Sequence, residues 1–156
     1  MSGWERGRAE ILGMIERGEL AQVTANAELA DRLLLTARQH LASARLLAAS
    51  DPYLAYAGIY DAIRKALSAL LQAQGLRAAS KGGHLAVMHA IQAQFGASMG
   101  AILRPIDRIR VTGHEAEYPG QATYIDEDAV LDDLPKAEVV VEAAAKAMPH
   151  LTTFTS

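Results

Sequence analysis

The sequence contains no cysteine, which excludes disulfides and thiolate-ligated metal sites and fits a reducing compartment. No apolar run approaches the ~18 residues that span a bilayer. The opening "MSGWERGRAE" also lacks the apolar region of a signal peptide, so a cytoplasmic protein without membrane contact is expected. Aromatic residues are scarce at 5%, too few for a base-stacking platform of the single-strand-binding kind. Positive charge is not in excess either. With a formal net charge of −3, any contact with a polyanion must rest on a local basic patch, and "ILRPIDRIR" with Arg104, Arg108 and Arg110 supplies one. Alternating strand patterns of useful length and internal repeats are both missing.

What is present reads as helices punctuated by glycine and proline. The 156 residues match one ordinary domain. "WERGRAEILGMIERGEL" predicts a short helix with Gly18 at its C-terminal end. "NAELADRLLLTARQHLASARLLAAS" predicts a long amphipathic helix starting near Thr24 or Asn26, with Leu29, Leu33, Ala37, Leu41, Ala44 and Ala48 on its inner face. In "DPYLAYAGIYDAIRKALSALLQAQG" Asp51 suits the N-cap, Pro52 the first helical position and Gly75 the residue past the end. Tyr56, Tyr60, Ile63, Leu67, Leu70 and Leu71 form its apolar stripe, which such spacing marks as core. A shorter helix, "HLAVMHAIQAQF", should end at Gly96. Pro105 enters or kinks the next one, and Asp126 caps the last, within which Pro135 bends the helix or marks its true start. The fold class is all-α, an up-and-down bundle of five or six helices. Residues 1–24 form an N-terminal helix and linker, 25–149 the bundle domain, and 150–156 a frayed tail.

Five histidines are present, but none pairs at metal-ligand spacing with a carboxylate, so no metal site is expected. His84 and His89 lie five apart, ~140° around a helix, and do not share a ligand face. "SKGGH", Ser80 to His84, places two glycines at a helix start where free N–H groups can hold a phosphate. It lacks the P-loop order, and a flexible turn explains it better.

The densest chemistry lies in "RIRVTGHEAEYP". On a continuous helix Arg110, His114 and Tyr118 fall at i, i+4 and i+8 and share one stripe. Arg108, six residues before His114 and ~240° around, joins them only if the helix is disturbed, for which Thr112-Gly113 is the candidate. Glu115 and Glu117 can orient the imidazole or pair with the arginines. By spacing alone a charged helix end accounts for the segment better than a site does.

These segments together resemble the HEPN family, helical domains named for higher eukaryotes and prokaryotes nucleotide-binding. The resemblance is carried by "LLTARQHLASARLLAASDPYLAYAGIYDAIRKALSALLQAQGLRAASKGGHLAV", by "PIDRIRVTGHEAEYP", and by the acidic start of the last helix. It covers most of residues 28–148 and is similar to bacterial members. The family signature is an arginine followed after four to six residues by a histidine, which Arg108 and His114 fit. Ile109 stands where a polar residue is usual, and Tyr118 follows His114 by four positions rather than two.

The resemblance implies a HEPN-like four-helix core and a homodimer acting as a metal-independent, cofactor-free ribonuclease of toxin or defence type. Its partners would be RNA or a nucleotide and a nucleotidyltransferase-type antitoxin. An imidazole titrates at about 6.5 and serves as base or acid near neutrality. His114 and Arg108 are then the catalytic pair, doubled across a two-fold axis. Arg110 is the alternative phosphate clamp, and Tyr118 positions substrate or is a hydroxyl that a partner enzyme modifies. Asp61 and Lys65 line the cleft. The alternative is a non-catalytic HEPN module that binds a nucleotide or a protein partner.

Overall fold

A computed structural model describes residues 4–155, which form six α-helices and a two-stranded ribbon. Residues 1–3 of the expected N-terminal segment and Ser156 of the expected tail lie outside the described residues.

Helix α1 (Arg8–Glu16) ends where the sequence expects. Gly18 sits at φ +76, its N–H donates to the Ile15 carbonyl at 3.0 Å, and the Glu19 N–H donates to Met14 at 2.9 Å. That pair of bonds closes the open carbonyls of the last turn, and only glycine takes the left-handed position without strain. The chain then runs into β1 (Leu20–Gln22), which pairs antiparallel with β2 (Leu76–Ala78), Leu20 opposite Ala78. No strand was expected from the sequence. Three residues are too few to display an alternating pattern, and this pairing spans more than fifty residues of sequence.

Helix α2 (Ala27–Leu47) begins at Asn26, whose side chain accepts the Leu29 N–H at 2.9 Å. Helix α3 (Pro52–Ala73) begins at Asp51, which accepts the Leu54 N–H at 3.2 Å, with Pro52 in the first turn. Both caps follow from local chemistry. The expected stripe of α3 is wholly buried, and Ala55, Ile59, Ala62, Ala66 and Ala69 are buried with it. Helix α3 is therefore the central rod, packed by α2, α4, α5 and α6. On α2 the residues Ala37, Leu41 and Ala44, and Ala48 just past its end, are buried as expected, but Ala30 and Leu34 take the core positions assigned to Leu29 and Leu33.

Helix α4 (Gly83–Leu103) does not stop at Gly96. That glycine keeps a helical backbone, and the non-helical residue is Met99 at φ −123, ψ 21. Glycine ends a helix only where the chain turns left-handed. Helix α5 (Ile106–Glu117) follows Pro105. Helix α6 (Glu127–Ala147), capped by Asp126 on the Ala129 N–H at 2.9 Å, runs unbroken through Pro135, which therefore does not mark its start. The proline leaves the Leu131 carbonyl without its helical donor, and Leu131 is exposed, so water can take that place.

The tail is not frayed over residues 150–155. Phe154 is buried, meets Trp4 edge-on at 4.8 Å between ring centroids, and donates its N–H to Gln74 at 2.8 Å. The Trp4 indole N–H donates to the Thr152 carbonyl at 3.2 Å. Two large rings bury enough apolar surface to order both segments. Otherwise the all-α bundle stands as read.

Candidate functional site

The site is organised by α5. Its inner face, Ile106, Ile109, Gly113 and Ala116, packs on α3. Gly113 does not disturb the helix; it allows close approach, because a Cβ there would stand 2.7 Å from the Tyr60 Cβ. With the helix continuous, Arg108 and His114 are not brought together on one stripe of a single chain, and the two side chains leave α5 in different directions.

Arg108 points to α6. Its Nη1 donates to Asp133 Oδ2 at 3.0 Å and its Nη2 to Oδ1 at 2.6 Å, a bidentate fork. Asp133 is buried, and it also accepts the Tyr56 hydroxyl at 2.6 Å and Lys136 Nζ at 3.2 Å. Burial alone would lift the Asp133 carboxyl. The bonds from Arg108, Tyr56 and Lys136 outweigh it and hold the group at about 2. Burial, with Asp133 beside it, pushes the Tyr56 phenol up, and the bond to Asp133 raises Arg108. The network ties α3, α5 and α6 together while the Arg108 side chain remains 55% exposed.

His114 is exposed, and its imidazole has no hydrogen-bond partner among the described residues. Its ring lies 5.0 Å from that of Tyr118, tilted by 41°, and Tyr118 is also exposed. Arg110, one turn earlier, is half-buried and donates through Nε and Nη2 to Asp107 Oδ1 at 3.2 and 3.0 Å. Burial raises the Tyr60 phenol, against the opposing charges of Arg64 and Arg110. The stripe Arg110–His114–Tyr118 is thus present as one surface.

Asp61 and Lys65 sit together on α3 but form a different cluster. Asp61 accepts from Arg64 at 3.0 Å and from Lys65 at 3.2 Å. Lys65 Nζ lies 2.6 Å from His40 Nε2 on α2. Lysine has no acceptor, so Nε2 is the unprotonated nitrogen of a neutral ring. Burial first, and then the Lys65 charge, lower the His40 pKa. Burial would raise Asp61, but Arg64 and Lys65 draw it down. A cleft of about 320 Å³ joins His40 and Asp61 to Glu117, the last residue of α5.

Sequence reasoning missed Asp133, Tyr56 in its polar role, and His40. Asp133 was detectable, since it interrupts the apolar stripe Val130, Leu134, Ala137 and Val141 with a charge. His40 gave no such signal, because its partner stands on another helix. Among the described residues no group of three or more His, Asp or Glu side chains is arranged to hold a metal, and no helix is long and apolar enough to cross a membrane.

Fold and site together define a helical-bundle domain bearing an arginine–histidine helix against its central rod. The chain belongs to the HEPN domain family, whose model matches residues 30–148. Domains of this family are ribonucleases or modules that bind RNA or nucleotides. Neither a curated protein nor a solved structure matches the chain.

Proposed function

We propose that this HEPN domain is a metal-independent endoribonuclease of toxin or defence type, working as a pair of chains that meet along α5. The observation that supports this most is His114, an exposed imidazole free of internal partners on the same helix face as Arg110 and Tyr118. Cleavage of RNA by its own 2′-hydroxyl needs three things: a base for that proton, an acid for the departing 5′ oxygen, and a cation at phosphorus. One His114 takes the proton as O2′ bonds to phosphorus. The symmetry-related His114 protonates O5′ as the P–O5′ bond breaks, leaving a cyclic phosphate. Arg110 and Arg108 each keep N–H donors beyond their carboxylate bonds and supply the positive charge. Val111 and Tyr118, 43% and 69% exposed, give the outer face of α5 apolar surface for a seam between copies. A nucleotidyltransferase-type antitoxin, acting on Tyr118, is the partner this reading favours.

The test is incubation of the purified chain with total RNA in EDTA. Cleavage that persists under chelation and disappears in His114→Ala supports the reading; intact RNA at micromolar protein sinks it.

One observation favours a second reading, a non-catalytic binding module. Both terminal nitrogens of Arg108 already face Asp133, as in a structural ion pair. In that case nucleotides shift the melting temperature, Arg110→Ala abolishes the shift, and His114→Ala leaves it intact.

A further inference from the structure

A second cavity, about 380 Å³, lies between α2, α3, β2 and the start of α4. Its floor is aliphatic, built from Leu33, Leu71, Leu76 and Val87. This explains why Leu29 and Leu33, which the helical pattern assigns to the core, are only half-buried: they wall the cavity instead. The polar rim carries Arg64, Arg77 and His84, and no carboxylate lines it. In a chain of net charge −3 that is a local concentration of positive charge over an apolar floor.

The cations differ in availability. Arg64 is held by Asp61 through Nε and Nη2. Arg77, on β2, is exposed and has neither an ion pair nor a hydrogen bond among the described residues. An unpaired arginine among the residues lining an apolar cavity suits a ligand with a planar two-oxygen anion at one end and a hydrocarbon body at the other. The volume lies in the range of small-molecule sites. No Phe, Tyr or Trp lines the cavity, so among its lining residues the His84 imidazole alone offers a nucleobase a ring to stack on, whereas leucine and valine suit an alkyl chain.

We propose that this cavity binds a small amphipathic carboxylate, its carboxylate on Arg77 and its aliphatic chain over Leu33 and Leu76. The site is independent of the ribonuclease reading, since it uses none of Arg108, Arg110, His114 or Tyr118.

The experiment is calorimetric titration of the full chain with octanoate, octanamide, inorganic phosphate and adenosine monophosphate. Octanoate should bind saturably, one per chain, at least tenfold more tightly than octanamide or adenosine monophosphate. Arg77→Ala should weaken octanoate tenfold or more, and His114→Ala should leave it unchanged. Arg77 is exposed and unpaired, so its removal is not expected to unfold the protein, and circular dichroism checks this. Leu33→Glu, which places a charge in the cavity, should also abolish binding. The proposal is overturned by any of three results: no saturable octanoate binding at millimolar concentration, equal affinity for octanamide, or tighter binding of phosphate or the nucleotide.

Discussion

Arg108 on α5 and Asp133 on α6 face each other through two parallel hydrogen bonds of 3.0 and 2.6 Å, with the carboxylate buried and the guanidinium half in solvent. The asymmetry sets what each partner is worth. Removing Arg108 leaves a buried carboxylate with only Tyr56 and Lys136, so Arg108→Ala should cost about 2 kcal/mol. Arg110 pairs with an exposed Asp107, and Arg110→Ala should cost below about 1 kcal/mol. Urea denaturation of the two variants checks the difference.

The same carboxylate makes stability depend on acid. Asp133 titrates at about 2 in the folded chain against 3.8 for the free group. A depressed carboxyl stabilises the fold above the unfolded value, and that contribution is lost as pH falls through the folded one. The unfolded chain binds more protons between these limits, so stability should drop by about 2 kcal/mol from pH 5 to pH 2. Asp133→Asn should flatten that limb while lowering stability at neutrality, as unfolding curves across the pH range will show.

Gly113→Ala tests the close approach of α5 to α3. Alanine favours helix by about 1 kcal/mol over glycine, which alone predicts stabilisation. The new Cβ, 2.7 Å from the Tyr60 Cβ, forces the helices apart, so a net loss of about 1–3 kcal/mol is expected. A lower melting temperature confirms contact; a higher one shows that the seam gives way freely.

Phe154→Ala should cost about 3 kcal/mol, because the ring is buried against Trp4. The loss should also speed amide exchange in α1, which begins four residues after Trp4. Unchanged protection in α1 would show that the tail does not hold the N-terminal segment.

The parts legible from sequence are those set within a few neighbouring residues. Asn26, Asp51 and Asp126 cap helices by reaching three residues along the chain, and Gly18 and Gly75 turn left-handed where the pattern stops. The stripe on α3 was legible because one buried face repeats every turn. The β1–β2 ribbon, the Phe154–Trp4 contact and the His40–Lys65 pair were not, since each joins residues far apart in sequence. Gly96 misled because a glycine inside a helix and one that ends it look alike until the backbone angle is known. In the site, the Arg110–His114–Tyr118 stripe followed from helical period alone. The commitment of Arg108 to Asp133 required knowing which helix stands beside α5.

Helices α2 and α3 pack extensively on each other and are rich in buried alanine: Ala37 and Ala44 on one, Ala48 just past its end, and Ala55, Ala62, Ala66 and Ala69 on the other are all shielded from solvent. Where these alanines pack there is almost no side-chain volume to give up and little room to accept more. Sequence drift there is consequently one-sided: truncation to glycine loosens the rods slightly, whereas a single added isopropyl group would wedge them apart.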